Sequence, residues 1–107
     1  MLYNYGMDTQ DLISHARARF SHEAAKRVLK EKYQARLVFG YNGGMWRADQ
    51  NLMVLLQAIP TEEAVILDLY ENPVRVNVLE LGYQVGERFQ EVMNAWLVEF
   101  ESISTKR

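Results

Sequence analysis

A chain of 107 residues, 49% hydrophobic and 24% charged, has room for one core and enough apolar side chains to build it, which excludes a disordered polyelectrolyte. Without cysteine it has no disulfide scaffold and no thiolate metal site, and no apolar run approaches the ~20 residues that a membrane-spanning helix needs. The net charge of −2 is split unevenly: residues 1–40 hold seven Lys or Arg against four Asp or Glu, and residues 41–107 hold five against ten. That polarity suits head-to-tail association or an acidic partner at the basic end, although solvated helix faces account for it more simply.

The opening Met1-Leu2-Tyr3-Asn4-Tyr5 has no basic region ahead of an apolar one, so a soluble, unsecreted protein is expected. Asp8 or Thr9 can cap a helix, with Asp8 and Asp11 near its positive end. Leu12, Ile13, Ala16 and Phe20 follow three-to-four spacing, Ser21 offers a second cap, and Ala24, Ala25, Val28, Leu29 and Lys32 or Tyr33 continue the period. Residues 9–33 are therefore one long helix or two, and a joint near Phe20-Ser21 is the favoured reading. Arg17, Arg19, Lys26, Arg27 and Lys30 make the polar face basic.

Ala35, Leu37, Phe39 and Tyr41 alternate up to Asn42-Gly43, the dipeptide that best supplies the two positive φ angles of a type I′ turn. With Tyr41 opposite Gly44, the register places Phe39 against Trp46 and Leu37 against Ala48, giving one aromatic face. Asp49 then caps a short helix through Leu52, Val54, Leu55, Leu56 and Ile59, ended by Pro60; being apolar almost all round, it is expected to be buried. Ala64–Tyr70 is rich in Val, Ile and Leu, and Glu71-Asn72-Pro73 turns it into Val74-Arg75-Val76, a second hairpin in which Asp68 would lie across from Arg75.

Asn77 with Glu80 three residues later resembles a capping box and opens the longest helix, residues 78–101. Val78, Gly82, Val85, Phe89, Val92, Trp96 and Phe100, flanked by Leu81, Met93 and Leu97, form its apolar stripe. Over ~36 Å it outruns a small sheet of short strands, so part of it is expected to meet another subunit. The whole reads as a single α+β domain spanning 1–107: an N-terminal helical segment, two β-hairpins forming a small antiparallel sheet, a short buried helix between them and a long C-terminal helix, with residues 1–7 and 102–107 frayed.

Chemistry is scarce. His15 and His22 are seven residues apart, about two helical turns, which lacks the four-residue spacing of a helical metal-binding pair. Gly40, Gly43 and Gly44 lead into a strand rather than a helix, unlike a phosphate loop, and no serine has an evident base. No catalytic residue, metal or cofactor is expected. Phe39, Tyr41 and Trp46 with Arg36 and Arg47 offer an alternative, a nucleic-acid surface of stacking rings and phosphate contacts. Core packing of those rings, and the low basic content, weigh against it.

The combination Ala24-Ala25-Lys26 through Lys32-Tyr33, Gly43-Gly44-Met45-Trp46, Ile66-Leu67-Asp68-Leu69-Tyr70-Glu71-Asn72-Pro73-Val74-Arg75-Val76-Asn77 and Glu91-Val92-Met93-Asn94-Ala95-Trp96 resembles small uncharacterised proteins of T-even-like tailed bacteriophages, including cyanophages. The resemblance implies a virion component, an assembly factor or a host-directed accessory protein, placed in the cytoplasm of an infected cell or in the particle, and it carries over no functional residue. The resulting expectation is a non-enzymatic, self-associating interaction protein with Leu81, Phe89, Trp96 and Phe100 as interface anchors, large side chains of the kind that dominate buried contacts. A small nucleic-acid-binding regulator is the alternative.

Overall fold

Thr9–Arg36 contains neither glycine nor proline and forms one unbroken helix, α1, in the computed structural model, which describes residues 9–105. The expected joint at Phe20-Ser21 is absent, because Ser21 lies inside the helix and caps nothing. Strands β1 (Val38–Tyr41) and β2 (Gly44–Arg47) follow, then helix α2 (Gln50–Ala58), strands β3 (Glu63–Leu67) and β4 (Pro73–Asn77), and helix α3 (Val78–Thr105). The α+β class and the order of elements agree with the sequence. α3 continues through Ser102 to Thr105; residues 1–8, with the expected cap at Asp8, and 106–107 lie outside the described residues.

The first hairpin has the register that Asn42-Gly43 dictates: Tyr41 pairs with Gly44 and Phe39 with Trp46, with φ of 53° at Asn42 and 85° at Gly43. The ladder extends one step further, since Ala48 donates its amide to the Leu37 carbonyl at 2.9 Å. In the second hairpin Leu67 pairs with Pro73 and Val65 with Arg75. Asp68 is thus in the turn and makes no cross-strand pair with Arg75, a correction explained by what its carboxylate binds. One oxygen accepts from the amides of Tyr70 (3.0 Å) and Asn72 (2.9 Å), folding the loop around the side chain. The other accepts from the Met45 amide on the neighbouring hairpin at 3.0 Å.

The hairpins are two separate two-stranded sheets rather than the single sheet expected. Met45 joins them: its amide donates to Asp68 and its carbonyl accepts from the Leu69 amide at 2.7 Å. The Asn42 side-chain amide adds a bond to the Arg75 carbonyl. Gly44 sits at the seam, where an added Cβ would lie 3.1 Å from both Trp46 and Val74.

Both capping residues act as expected at the helix starts. Asp49 accepts from the Leu52 amide and Asn77 from the Glu80 amide, each at 2.9 Å. The Glu80 carboxylate turns away from the box and receives the Tyr41 hydroxyl at 2.6 Å. α2 is not a buried helix. Leu56 is its only buried residue, while Val54 and Leu55 are exposed, because only one side of a nine-residue helix reaches α3.

α1 and α3 run antiparallel. Tyr33 stacks on Trp96 with ring centroids 5.9 Å apart and 11° between planes, its hydroxyl donates to Glu99, and Lys32 pairs with Glu99 at 2.7 Å. Near the other end of the contact Arg88 donates to the Arg36 carbonyl. Leu29, Tyr33 and Leu37 join Phe39, Trp46, Ala48, Leu56, Ile66, Val76, Val78, Leu81, Val85 and Val92 in one core. The chain is nonetheless long, 71 × 24 × 22 Å, with a Cα radius of gyration of 21.3 Å where a compact chain of this size has about 13 Å. Its accessible surface is 7917 Å², against about 6200 Å² expected for a compact monomer of its mass.

A candidate interaction surface

α1 and α3 are equally long at 28 residues each, and their offset lengthens the molecule. Ile103 lies beside the stretch of α1 around His22 and Ala25, so the helix from Thr9 to Ser21 runs past the end of α3 as an arm about 20 Å long. Every residue from Thr9 to Ser21 is exposed. Leu12 is 57% exposed and Phe20 72%, with Ile13 beside them on the same side of the helix. An isolated stretch of this length is marginal in water, and an exposed apolar strip on it is surface that a fold ordinarily covers.

The four expected anchors on α3 fare differently. Leu81 is fully buried and is withdrawn as an interface residue; it faces the core because it lies on the side of α3 that meets the hairpins. Phe89 and Trp96 are half-buried against the chain's own core, Trp96 under Tyr33. Phe100 remains exposed. The companion that α3 was expected to find in another subunit is, over its second half, the folded-back α1.

α3 also carries an exposed apolar strip that adds Leu79, Tyr83 and Val98 to the Leu97 and Phe100 of the expected stripe. Leu79 and Tyr83 are 79% and 70% exposed, and Leu97, Val98 and Phe100 continue on the outer side. Leu79, Tyr83, Gln90 and Leu97 follow one another at steps of four, seven and seven residues, the spacing that keeps side chains on one line along a helix, but the stronger core stripe beside it masks this pattern. Gly82 and Gly86 lie next to the ridge, and a Cβ added at either would meet nothing within 4 Å. On its other side a groove of 670 Å³ runs between α3 and Phe39, lined by Glu80, Glu87 and Glu91 together with Tyr83, Gln84 and Arg88. The Tyr83 hydroxyl donates to Glu87 at 3.0 Å, which raises its pKa; the Tyr41 pKa is raised likewise by its bond to Glu80.

The residues of the nucleic-acid alternative are brought together only in part. Phe39 and Trp46, the rings on which bases would stack, are buried, and the Trp46 indole donates to the Tyr41 carbonyl at 2.9 Å. Tyr41 is half-buried with its hydroxyl on Glu80. Arg47 is exposed, and the exposed Arg36 places its guanidinium 5.1 Å from the Tyr33 ring centre. What remains is two arginines without an open aromatic face.

His15 and His22 both border the concavity where α3 ends beside the arm. Among the described residues no group of three His, Cys, Asp or Glu is close enough to hold a metal ion, and no helix is long and apolar enough to cross a membrane. Asp68 has its pKa lowered by the Met45 and Asn72 amides, a structural use of the charge. Compared with known proteins, the chain matches no family model, no curated protein and no solved structure.

Proposed function

We propose that this is a non-enzymatic protein that works by protein–protein contact and self-associates through helical faces. The observation that carries the reading is the arm at residues 9–21: a helix lying beyond its own core with Leu12, Ile13 and Phe20 open to water. A second exposed strip on α3 and an accessible surface in excess of a compact monomer's point the same way. The resemblance to small proteins of T-even-like tailed phages supplies the setting, a virion component or assembly factor. Light scattering on the full chain at micromolar concentration tests the self-association, with a mass above that of the monomer expected. A coding sequence lying among particle-assembly genes is the expected outcome for the setting, and one lying among replication genes would count against it.

A further inference from the structure

α1 and α3 are complementary in charge as well as in apolar pattern. α1 holds seven basic and three acidic residues, α3 one basic and five acidic. Within one chain they meet through the C-terminal half of α1, so Arg17 and Arg19, which flank the apolar strip of the arm, extend beyond the acidic side of α3. The groove beside Tyr83 presents Glu80, Glu87 and Glu91.

We infer that the arm of one copy lies across the outer face of α3 in a second copy, reciprocally, about a two-fold axis. This rests on the self-association proposed above and specifies its partner surface. The Leu79–Tyr83 ridge receives the strip from Leu12 to Phe20. On one side of the ridge the open space over Gly82 and Gly86 lets the arm approach the α3 backbone and takes the Phe20 ring. On the other, arm arginines reach the carboxylates of the groove, where opposite charge fixes register and favours this pairing over others.

Area decides between a single contact and an exchange. One arm is about three and a half turns of helix and falls short of the ~800 Å² per partner that a stable interface buries. Two such contacts related by a two-fold close the assembly, leave neither arm bare and remove surface on the scale of the excess this chain carries. Arm-to-arm pairing is disfavoured, since it would set Arg17 and Arg19 beside their own copies and leave the α3 strip uncovered.

The absence of cysteine makes the test direct, because in a chain carrying a single introduced cysteine every disulfide joins two copies. Arg19→Cys and Glu87→Cys proteins, mixed and oxidised, are expected to form the mixed disulfide in preference to either symmetric one. Phe20→Glu and Tyr83→Glu, at side chains the fold leaves exposed, are expected each to weaken dimerisation at least tenfold with circular dichroism unchanged. A dimer that tolerates both substitutions, or Arg19→Cys linking to itself with no mixed product, overturns the arm exchange and leaves self-association standing. A strict monomer at micromolar concentration overturns both.

Discussion

Phe20 and Leu29 lie on the same unbroken helix, nine residues or two and a half turns apart, and therefore face opposite sides of it. Leu29 is in the core and Phe20 is bare. α1 thus carries two apolar strips out of phase by about half a turn: one packs on α3, and the other, along the arm, is exposed at Leu12, Ile13 and Phe20. The stability of the fold and the fate of the arm are separable. At a dilution where the chain is monomeric, Leu29→Ala should cost about 2–5 kcal/mol in urea unfolding, as truncation of a core leucine does. Phe20→Ala should change the same measurement by less than about 0.5 kcal/mol.

Asp68 holds two hairpins with two oxygens, and an amide cannot do both. In Asp68→Asn one atom becomes a donor facing either the Met45 amide or the amides of Tyr70 and Asn72. Keeping the two loop bonds preserves the turn, so the expected result is selective loss of the link to Met45. Hydrogen exchange should show the Met45 amide deprotected while the Phe39–Trp46 ladder stays protected. Equal deprotection of the whole first hairpin would mean that the carboxylate supports more than the seam. The lowered pKa of Asp68 sets the sign with pH: its contribution is present above the ordinary carboxylate value of about 4 and is lost as pH falls through the lower folded value.

The clamp between α1 and α3 responds at both ends of the pH scale. Glu99 has its pKa lowered, first by the Lys32 hydrogen bond and then by Tyr33, while Lys32 and Tyr33 are each raised chiefly by their bonds to Glu99. The Glu99 contribution is lost on acidification below about pH 4, and those of Lys32 and Tyr33 on raising the pH through their folded values, above the usual range near 10. Glu99→Gln removes the ionic partner of Lys32 and should flatten the stability profile at both limits. Thermal unfolding from pH 3 to pH 11, for the parent and for this variant, checks the prediction.

How much of this was legible in the sequence depends on how local the signal is. Asn42-Gly43 pins its hairpin because two adjacent residues determine the turn, and Asp49 and Asn77 mark helix starts for the same reason. The second hairpin differs in register from its alternation pattern, which sets Asp68 in the strand opposite Arg75. Its side chain instead gathers backbone amides into a longer loop, with Glu71 at a φ of 65°, which no periodicity announces. At Phe20-Ser21 the sequence does hold a discontinuity, but it is a change in the phase of the apolar strip rather than a break in the backbone. Leu81 and Trp96 differ from the expectation for a tertiary reason: the sheets take Leu81, and α1 folds back along the second half of α3 to cover Trp96 while the adjacent strip and Phe100 stay exposed.

The glycines provide the sharpest contrast between packing within the chain and packing between chains. At Gly44 an added methyl would lie 3.1 Å from Trp46 and Val74 and 3.2 Å from Asp68, so the core side must give way, and Gly44→Ala should cost about 1–3 kcal/mol. Gly82 and Gly86 are interior to α3 with nothing within 4 Å of an added Cβ, and alanine is the better helix former there by about 0.5–1 kcal/mol per site. Gly82→Ala with Gly86→Ala should therefore raise the urea midpoint of the dilute monomer. The same pair fills the space where a second chain would approach, so dimerisation measured by sedimentation should weaken as the monomer gains stability. A variant that is more stable and also dimerises as well as the parent would show that these glycines face only solvent.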